Sequence, residues 1–196
     1  ELLGTRQHGV IASVGFHLYT RLLGQAVTQL RQVSGLGGAD TRKLGIKELR
    51  AAVSVDLPLS IGIPTDYIED TRVRLSLYRR IADLNNDDEV EALKQEFHDR
   101  FGPLPPEVEN LFFQIRVKLL AEKAGLASVS VEGDQLVLRF PPLPEGITTR
   151  DLPPLSGGAR AGKNAYWVQM EKLGPDWQGR LIEMLAEVAG IWQAQH

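Results

Sequence analysis

The chain has 196 residues, with 22 Lys and Arg against 25 Asp and Glu, and a formal net charge of −3. This length allows one good domain or two small ones. The absence of cysteine excludes disulfides, thiol catalysis and cysteine-ligated zinc. The acidic balance argues against nucleic acid as the main partner, since phosphate binding usually needs an excess of basic residues. No apolar run reaches the roughly 20 residues that cross a membrane, so we expect no membrane partner. The absence of cysteine fits a reducing cytoplasm, where we expect the protein to be located.

The first quarter of the chain predicts a loop, a helix and a linker. Residues 1–13 carry glycines and polar side chains, which favour a loop. Over residues 14–32, apolar residues recur every four positions, which predicts an amphipathic helix. Three glycines within residues 34–40 then make a flexible connection. We therefore place a linker over residues 34–50 and begin the next domain at residue 51.

Residues 53–63 alternate apolar with polar or small side chains, which predicts a strand. Pro58 lies inside this segment and cannot donate a ladder hydrogen bond, so we expect an edge strand or a bulge. Apolar residues at helical spacing then predict three helices, over 70–84, 87–101 and 105–124. Asp70 is the expected cap of the first helix, and Asp87 or Asp88 that of the second.

The remaining segments predict a small sheet and a final helix. Residues 128–131 and 135–140 flank a Glu-Gly-Asp turn and predict a β-hairpin. Residues 141–162 are rich in Pro and Gly and favour an exposed loop, 164–170 a strand, and 176–193 a helix. The predicted fold class is α+β: a helical segment and linker, followed by a compact domain of several helices packed on a small, mainly antiparallel sheet.

The sequence lacks the motifs that hold phosphates or metals for catalysis. It has no phosphate-binding P-loop, no Gly-x-Gly-x-x-Gly after a strand and no His-Glu-x-x-His. Its carboxylates are not paired in a way that singles out an acid and a base. We expect no catalytic residue, no metal site and no cofactor in this chain, and we consider a freestanding enzyme the least favoured interpretation.

Three polar features are candidate functional sites, and each has an alternative interpretation as ordinary protein surface. In the first, Gly4 and Gly9 bracket Gln7 ahead of the predicted helix, so the loop can approach another backbone closely, although an ordinary turn explains the same pattern. In the second, Glu96 and Asp99 are three residues apart and share one helix face. Glu96 could pair with Arg100 and Asp99 could serve a partner; a solvated acidic face is the alternative.

The third feature is a basic group on the helix predicted over 70–84. Its members are Arg72, Arg74, Arg79 and Arg80. They could face phosphates, but acidic residues between 83 and 91 dilute the charge. An accessory DNA-binding domain that uses this basic helix is therefore the alternative function.

Several blocks resemble a known family. Residues 1–9 and 14–19 resemble the end of the translocation motif shared by RecG helicases and transcription-repair coupling factors. Residues 63–70, 74–82 and 99–105 resemble the core signature of the carboxy-terminal domain of those coupling factors. The blocks come in the family's order and spacing, and the match extends over about residues 1–140.

The resemblance implies a parent protein that is an ATP- and Mg-dependent double-stranded DNA translocase of nucleotide excision repair. Such a protein displaces stalled RNA polymerase and recruits UvrA. Its carboxy-terminal domain is not the motor; it packs against the amino-terminal UvrB-like module of the same protein and hides the UvrA-binding surface. The domain would thus act as an autoinhibitory clamp on the amino-terminal module. A small difference in affinity between the closed and the open state suffices for such a clamp, since ~1.4 kcal/mol shifts a two-state equilibrium tenfold.

Carried over by residue, the resemblance makes residues 1–33 the end of the motor and 51–196 a regulatory domain. Gly4, Gln7 and Gly9 belong to the translocation motif, where Gln7 matches the glutamine that couples ATP hydrolysis to DNA movement. The arginines of that motif lie upstream of this chain, so the motif cannot work alone here. Glu96 and Asp99 match the acidic positions that face basic residues of the amino-terminal module.

Overall fold

The computed structural model describes residues 53–195. They form five helices and five strands: β1 (Ser54–Asp56), α1 (Thr71–Ala82), α2 (Asp87–Phe101), α3 (Pro106–Lys123), β2 (Ser128–Glu132), β3 (Gln135–Arg139), β4 (Arg160–Ala161), β5 (Ala165–Gln169), α4 (Met170–Leu173) and α5 (Trp177–Gln195). The predicted helix 14–32, the linker 34–50 and the translocation-motif residues Gly4, Gln7 and Gly9 lie outside the described residues.

The five strands form one sheet in the order β1-β2-β3-β5-β4. β1 pairs with β2 in parallel, and the other three pairs are antiparallel. The predicted hairpin is confirmed as β2 and β3, and the predicted strand 164–170 as β5. Helices with a small, mainly antiparallel sheet confirm the α+β class.

The strand predicted over 53–63 ends much earlier than its apolar alternation suggested. The ladder stops at Asp56, and Leu59 donates its amide to the Leu57 carbonyl oxygen at 2.7 Å, which closes a tight turn around Pro58. The alternate residues Val53, Val55 and Leu57 are nevertheless buried. The apolar pattern therefore indicated which side chains are buried and not where the strand pairing ends. β1 does lie at an edge of the sheet, as Pro58 indicated.

The first two helices begin with side-chain caps. Asp70 caps α1 as predicted, because its Oδ1 accepts from the amides of Arg72 (2.7 Å) and Val73 (3.2 Å). The cap predicted for α2 was wrong. Asn86 and not an aspartate holds the first turn, with its Oδ1 accepting from the Glu89 amide at 2.9 Å. The Glu89 carboxylate in turn accepts from the Asn85 amide at 2.8 Å, a reciprocal arrangement close to a capping box.

Two elements near the end of the chain escaped the sequence patterns. The loop 141–162 contains the two-residue strand β4, and the four-residue helix α4 follows β5 directly. A strand of two residues and a helix of four are too short to show a repeating pattern of apolar side chains, so the sequence could not identify either one. The final helix was predicted correctly and runs two residues beyond the expected end.

The chain divides into two compact units, each with its own buried residues. Among the described residues, the first comprises 60–84 and 95–111, and the second 53–59, 85–94 and 112–195. The first buries Ile61, Ile63, Ile68, Leu77, Ile81, Phe97, Val108 and Leu111. The second packs α3 and α5 side chains against one face of the sheet, with Val117, Ala121, Val129, Leu136, Leu138, Tyr166, Leu181 and Leu185 in its core.

The end of α3 depends on Gly125. Its φ is +67°, and the amides of Gly125 and Leu126 donate back to the carbonyls of Glu122 and Ala121, which is a Schellman motif. A Cβ added at Gly125 would overlap the indole of Trp192 on α5. The glycine therefore meets two requirements at once, a left-handed backbone and close packing of an aromatic ring.

We expect Gly125→Ala to lower the free energy of unfolding by about 1–3 kcal/mol more than Gly133→Ala does, measured by urea denaturation. Gly133 is the matched control, since its φ of +64° carries the same backbone strain but a Cβ there meets nothing within 4 Å. Equal losses for the two variants would contradict the packing role assigned to Trp192.

Candidate interaction surface

The carboxylate of Glu96 lies between two arginines. Oε1 accepts from Arg80 Nη1 at 2.7 Å and from Arg100 Nη1 at 2.8 Å, and Oε2 accepts from Arg80 Nη2 at 2.5 Å. α1 contributes Arg80, while Glu96 and Arg100 are one turn apart on α2. The sequence identified the pair with Arg100. It missed Arg80, because a contact between helices has no signal in local spacing.

These hydrogen bonds fix the charges of the cluster. The bonds from Arg80 first, and from Arg100 second, lower the pKa of Glu96 from 4.5 to about 2. The hydrogen bond to Glu96 likewise raises the pKa of Arg80. The side chains of Arg80 and Arg100 are about half exposed, at 47% and 51%, so solvent screens the cluster. Such exposed pairs contribute only about 0.2–1 kcal/mol each.

Asp99 lies on the same helix as Glu96 and is more open. Its side chain is 63% exposed, and its Oδ1 accepts from Gln95 Nε2 at 2.9 Å. His98 Nδ1 lies 3.7 Å from that same oxygen. Oδ2 makes no hydrogen bond with the residues that the structure describes, which leaves one carboxylate oxygen for a partner.

The four arginines of α1 do not act as one basic patch. Arg74 turns back on its own chain and donates to the carbonyls of Ile68 (2.5 Å) and Glu69 (2.9 Å), and Arg80 is held by Glu96. Arg72 and Arg79 are exposed and seven residues apart, so they share a face of the helix. Neither forms an ion pair within residues 53–195, and only these two are available to an anionic partner.

The second unit contains a small cavity between the loop 141–162, the sheet and α5. Its volume is about 50 Å³, and Arg150, Tyr166 and Trp192 are among its lining residues. Sites for small organic ligands are typically about 300–1,000 Å³, so this cavity is too small for such a ligand and has room only for a few water molecules. Within the described part of the chain, no three His, Asp or Glu side chains group as metal ligands, and no helix is long and apolar enough to span a membrane.

The ion pairs of Glu96 with Arg80 and Arg100 make the free energy of unfolding depend on pH. Because the folded-state pKa of Glu96 is lowered to about 2, its contribution is complete above pH 4.5 and is lost as the pH falls toward 2. We expect the natural chain to exceed the Glu96→Gln variant in free energy of unfolding by about 0.2–1 kcal/mol near neutral pH, with the gap closing toward pH 2. Urea denaturation at a series of pH values measures this difference.

The matched control is Glu183→Gln, which removes an exposed carboxylate from the middle of α5. We expect this control to change the unfolding free energy by much less near neutral pH, since no ion pair with a described residue involves Glu183. A gap for Glu96→Gln that stays constant between pH 7 and pH 2 would contradict the assigned ion pairs.

Comparison with known proteins identifies the family. The family model of the TRCF domain matches residues 57–146. The transcription-repair-coupling factor of Mycobacterium tuberculosis is 36% identical over 151 residues, which are 76% of this chain and 12% of that protein. The factor of Rickettsia typhi is 35% identical over 140 residues, 71% of this chain and 12% of the relative. The chain thus spans about an eighth of the length of these relatives.

A solved structure supports the fold. The crystal structure of the C-terminal domain of a transcription-repair coupling factor superposes with a TM-score of 0.56, covering 71% of this chain and 94% of that one, at 23% sequence identity. The family resemblance inferred from residues 63–70, 74–82 and 99–105 is confirmed. The chain therefore belongs to the transcription-repair coupling factor family, and its described part has the fold of the carboxy-terminal domain of such a factor.

Proposed function

We propose that this chain is a regulatory docking domain that covers a binding surface elsewhere in its own parent protein. In this proposal the acidic side of α2 contacts basic residues of the amino-terminal UvrB-like module and hides the surface that recruits UvrA. The domain itself carries out no chemistry. The observation that carries the proposal is Asp99, an acidic side chain that is 63% exposed and has one oxygen unused among the described residues.

The parent protein supplies the context. We infer that it is an ATP-dependent double-stranded DNA translocase that displaces stalled RNA polymerase in nucleotide excision repair, with ATP and Mg bound in its motor. The relatives' name, transcription-repair-coupling factor, supports this inference. Within that protein, the end of the motor over residues 1–33 and the linker over 34–50 would connect the docking domain to the moving part.

The two acidic residues have different parts in this proposal. Both oxygens of Glu96 accept hydrogen bonds from arginines of the same unit, so a new partner would have to compete with them. Asp99 needs no such exchange. We therefore propose that Asp99 makes the direct contact with the amino-terminal module. Glu96 has a different part, which is to hold Arg80 and Arg100 in place.

DNA binding through α1 ranks second for a specific reason. Two of its four arginines are engaged, Arg74 with backbone carbonyls and Arg80 with Glu96. If Arg72 and Arg79 alone neutralised phosphates, the logarithm of the affinity would fall with log salt at a slope of only about −2. Such a contact would be weak at physiological salt.

A charge reversal at Asp99 tests the docking contact. We expect Asp99→Lys to weaken binding of the chain to the separately purified amino-terminal module by roughly three- to tenfold, since a rim ion pair becomes a repulsion. Asp99 lies in the last turn of α2, where a lysine interacts favourably with the helix dipole, so loss of folding does not explain the effect. Isothermal titration calorimetry at two salt concentrations measures it.

Glu183→Lys makes the same change of charge in the middle of α5 and should leave the affinity unchanged. Equal weakening by both variants would show that the effect depends only on the net charge of the chain and not on the position of Asp99. Unchanged binding by Asp99→Lys would remove Asp99 from the contact.

The masking step is tested in the complete parent protein. We expect a parent that lacks residues 51–196 to retain more UvrA in a pull-down than the intact protein does. The Asp99→Lys parent should give an intermediate result, because weaker docking exposes the UvrA surface for part of the time. Equal retention by the intact and truncated proteins would refute masking while leaving the docking measurement to stand separately.

A further inference from the structure

The carboxylate of Asp99 has a titratable neighbour. His98 Nδ1 lies 3.7 Å from Asp99 Oδ1, and the two side chains are 58% and 63% exposed. The same oxygen also accepts from Gln95 Nε2 at 2.9 Å. Imidazole is the side-chain group that ordinarily gains its charge between about pH 8 and pH 5. A full positive charge can therefore arise within ion-pair distance of the carboxylate to which the proposed function assigns the docking contact.

The other charged groups around this contact keep their charge over the same pH range. Among the residues that the structure describes, Asp99 is the one acid within ion-pair distance of the His98 imidazole. The pKa of Glu96 is lowered to about 2 by its bonds from two arginines, so this carboxylate stays ionised. Lys94 is four positions before His98 on α2, and Lys and Arg side chains ordinarily stay cationic well above pH 8. Burial raises the pKa of Tyr67, whose hydroxyl donates to two carbonyl oxygens near the end of α2, so this group stays neutral.

A charged His98 opposes docking in two ways. It forms an ion pair with Asp99 inside the chain, so a cation of the partner has to compete for that carboxylate. It also places a positive charge beside the contact, where the surface of the proposed partner is itself basic. The two effects have the same sign. Between exposed charges roughly 4 Å apart, such effects change an affinity by about two- to fivefold.

We infer that His98 is a pH-sensitive switch on the docking surface, and that its protonation weakens the contact between α2 and the basic amino-terminal module. The inference rests on the proposed docking function and adds its regulation. The affinity is highest when the imidazole is neutral, so it falls as the pH drops from about 8 to about 5. Because coupling between two bound ligands is reciprocal, docking within that range also expels the proton from His98.

Two substitutions that fix the charge at this position test the inference in the full 196-residue chain. His98→Gln is neutral at every pH, and His98→Lys is cationic throughout. The natural chain should bind the separately purified amino-terminal module like His98→Gln at about pH 8 and like His98→Lys at about pH 5.5. At the lower pH its affinity should be about two- to fivefold below that of His98→Gln. Fluorescence anisotropy of the labelled module measures all three chains.

Comparing the three chains at the same pH cancels any titration within the amino-terminal module. Position 98 is exposed in the last turn of α2, where a lysine suits the helix dipole, so both variants should fold. A ratio of natural to His98→Gln affinity that is the same at both pH values overturns the switch and leaves docking in place. Equal binding by the neutral and the cationic variant does so too. Failure of all three chains to bind at the higher pH removes the docking function, and the switch falls with it.

Discussion

The register of the central strands is the constraint on which the second unit depends. β3 pairs with β2 on one side and β5 on the other, and this pairing sends Leu136 and Leu138 to the core. A slip of one residue would turn both away from the side chains of α3 and α5 and toward the opposite face of the sheet. The same register decides which side chain of each neighbouring strand lies beside them in the core.

In the first unit, contacts within the chain decide which charged side chains are left open to a partner. Glu96 satisfies two arginines, and this removes Arg80 from the group of cations on α1. Arg74 is removed from that group by the carbonyls that precede the helix. What remains for a partner is one open carboxylate on α2 and two separated arginines on α1. The number of charges open to a partner on these two helices is therefore much smaller than the sequence alone suggests.

Much of the fold was predictable, and the failures share a physical cause. Helices with a full apolar stripe and the hairpin with its Glu-Gly-Asp turn were identified, because burial imposes their periods on the sequence. The end of β1 was not, since residues 57 and 59 continue to alternate in burial after the ladder has stopped. The engagement of Arg80 by Glu96 joins residues 16 positions apart, and the cap at Asn86 required choosing among four adjacent polar residues. Local patterns carry neither kind of information.

The turn at Pro58 also affects how the sheet meets other chains. An edge strand with unpaired amides is a template on which a foreign strand can add, and this is a common route to fibres. Here that edge is three residues long, and the proline that follows offers no amide while the Leu59 amide is occupied by Leu57. This border of the sheet therefore offers little free backbone on which a stray polypeptide could pair.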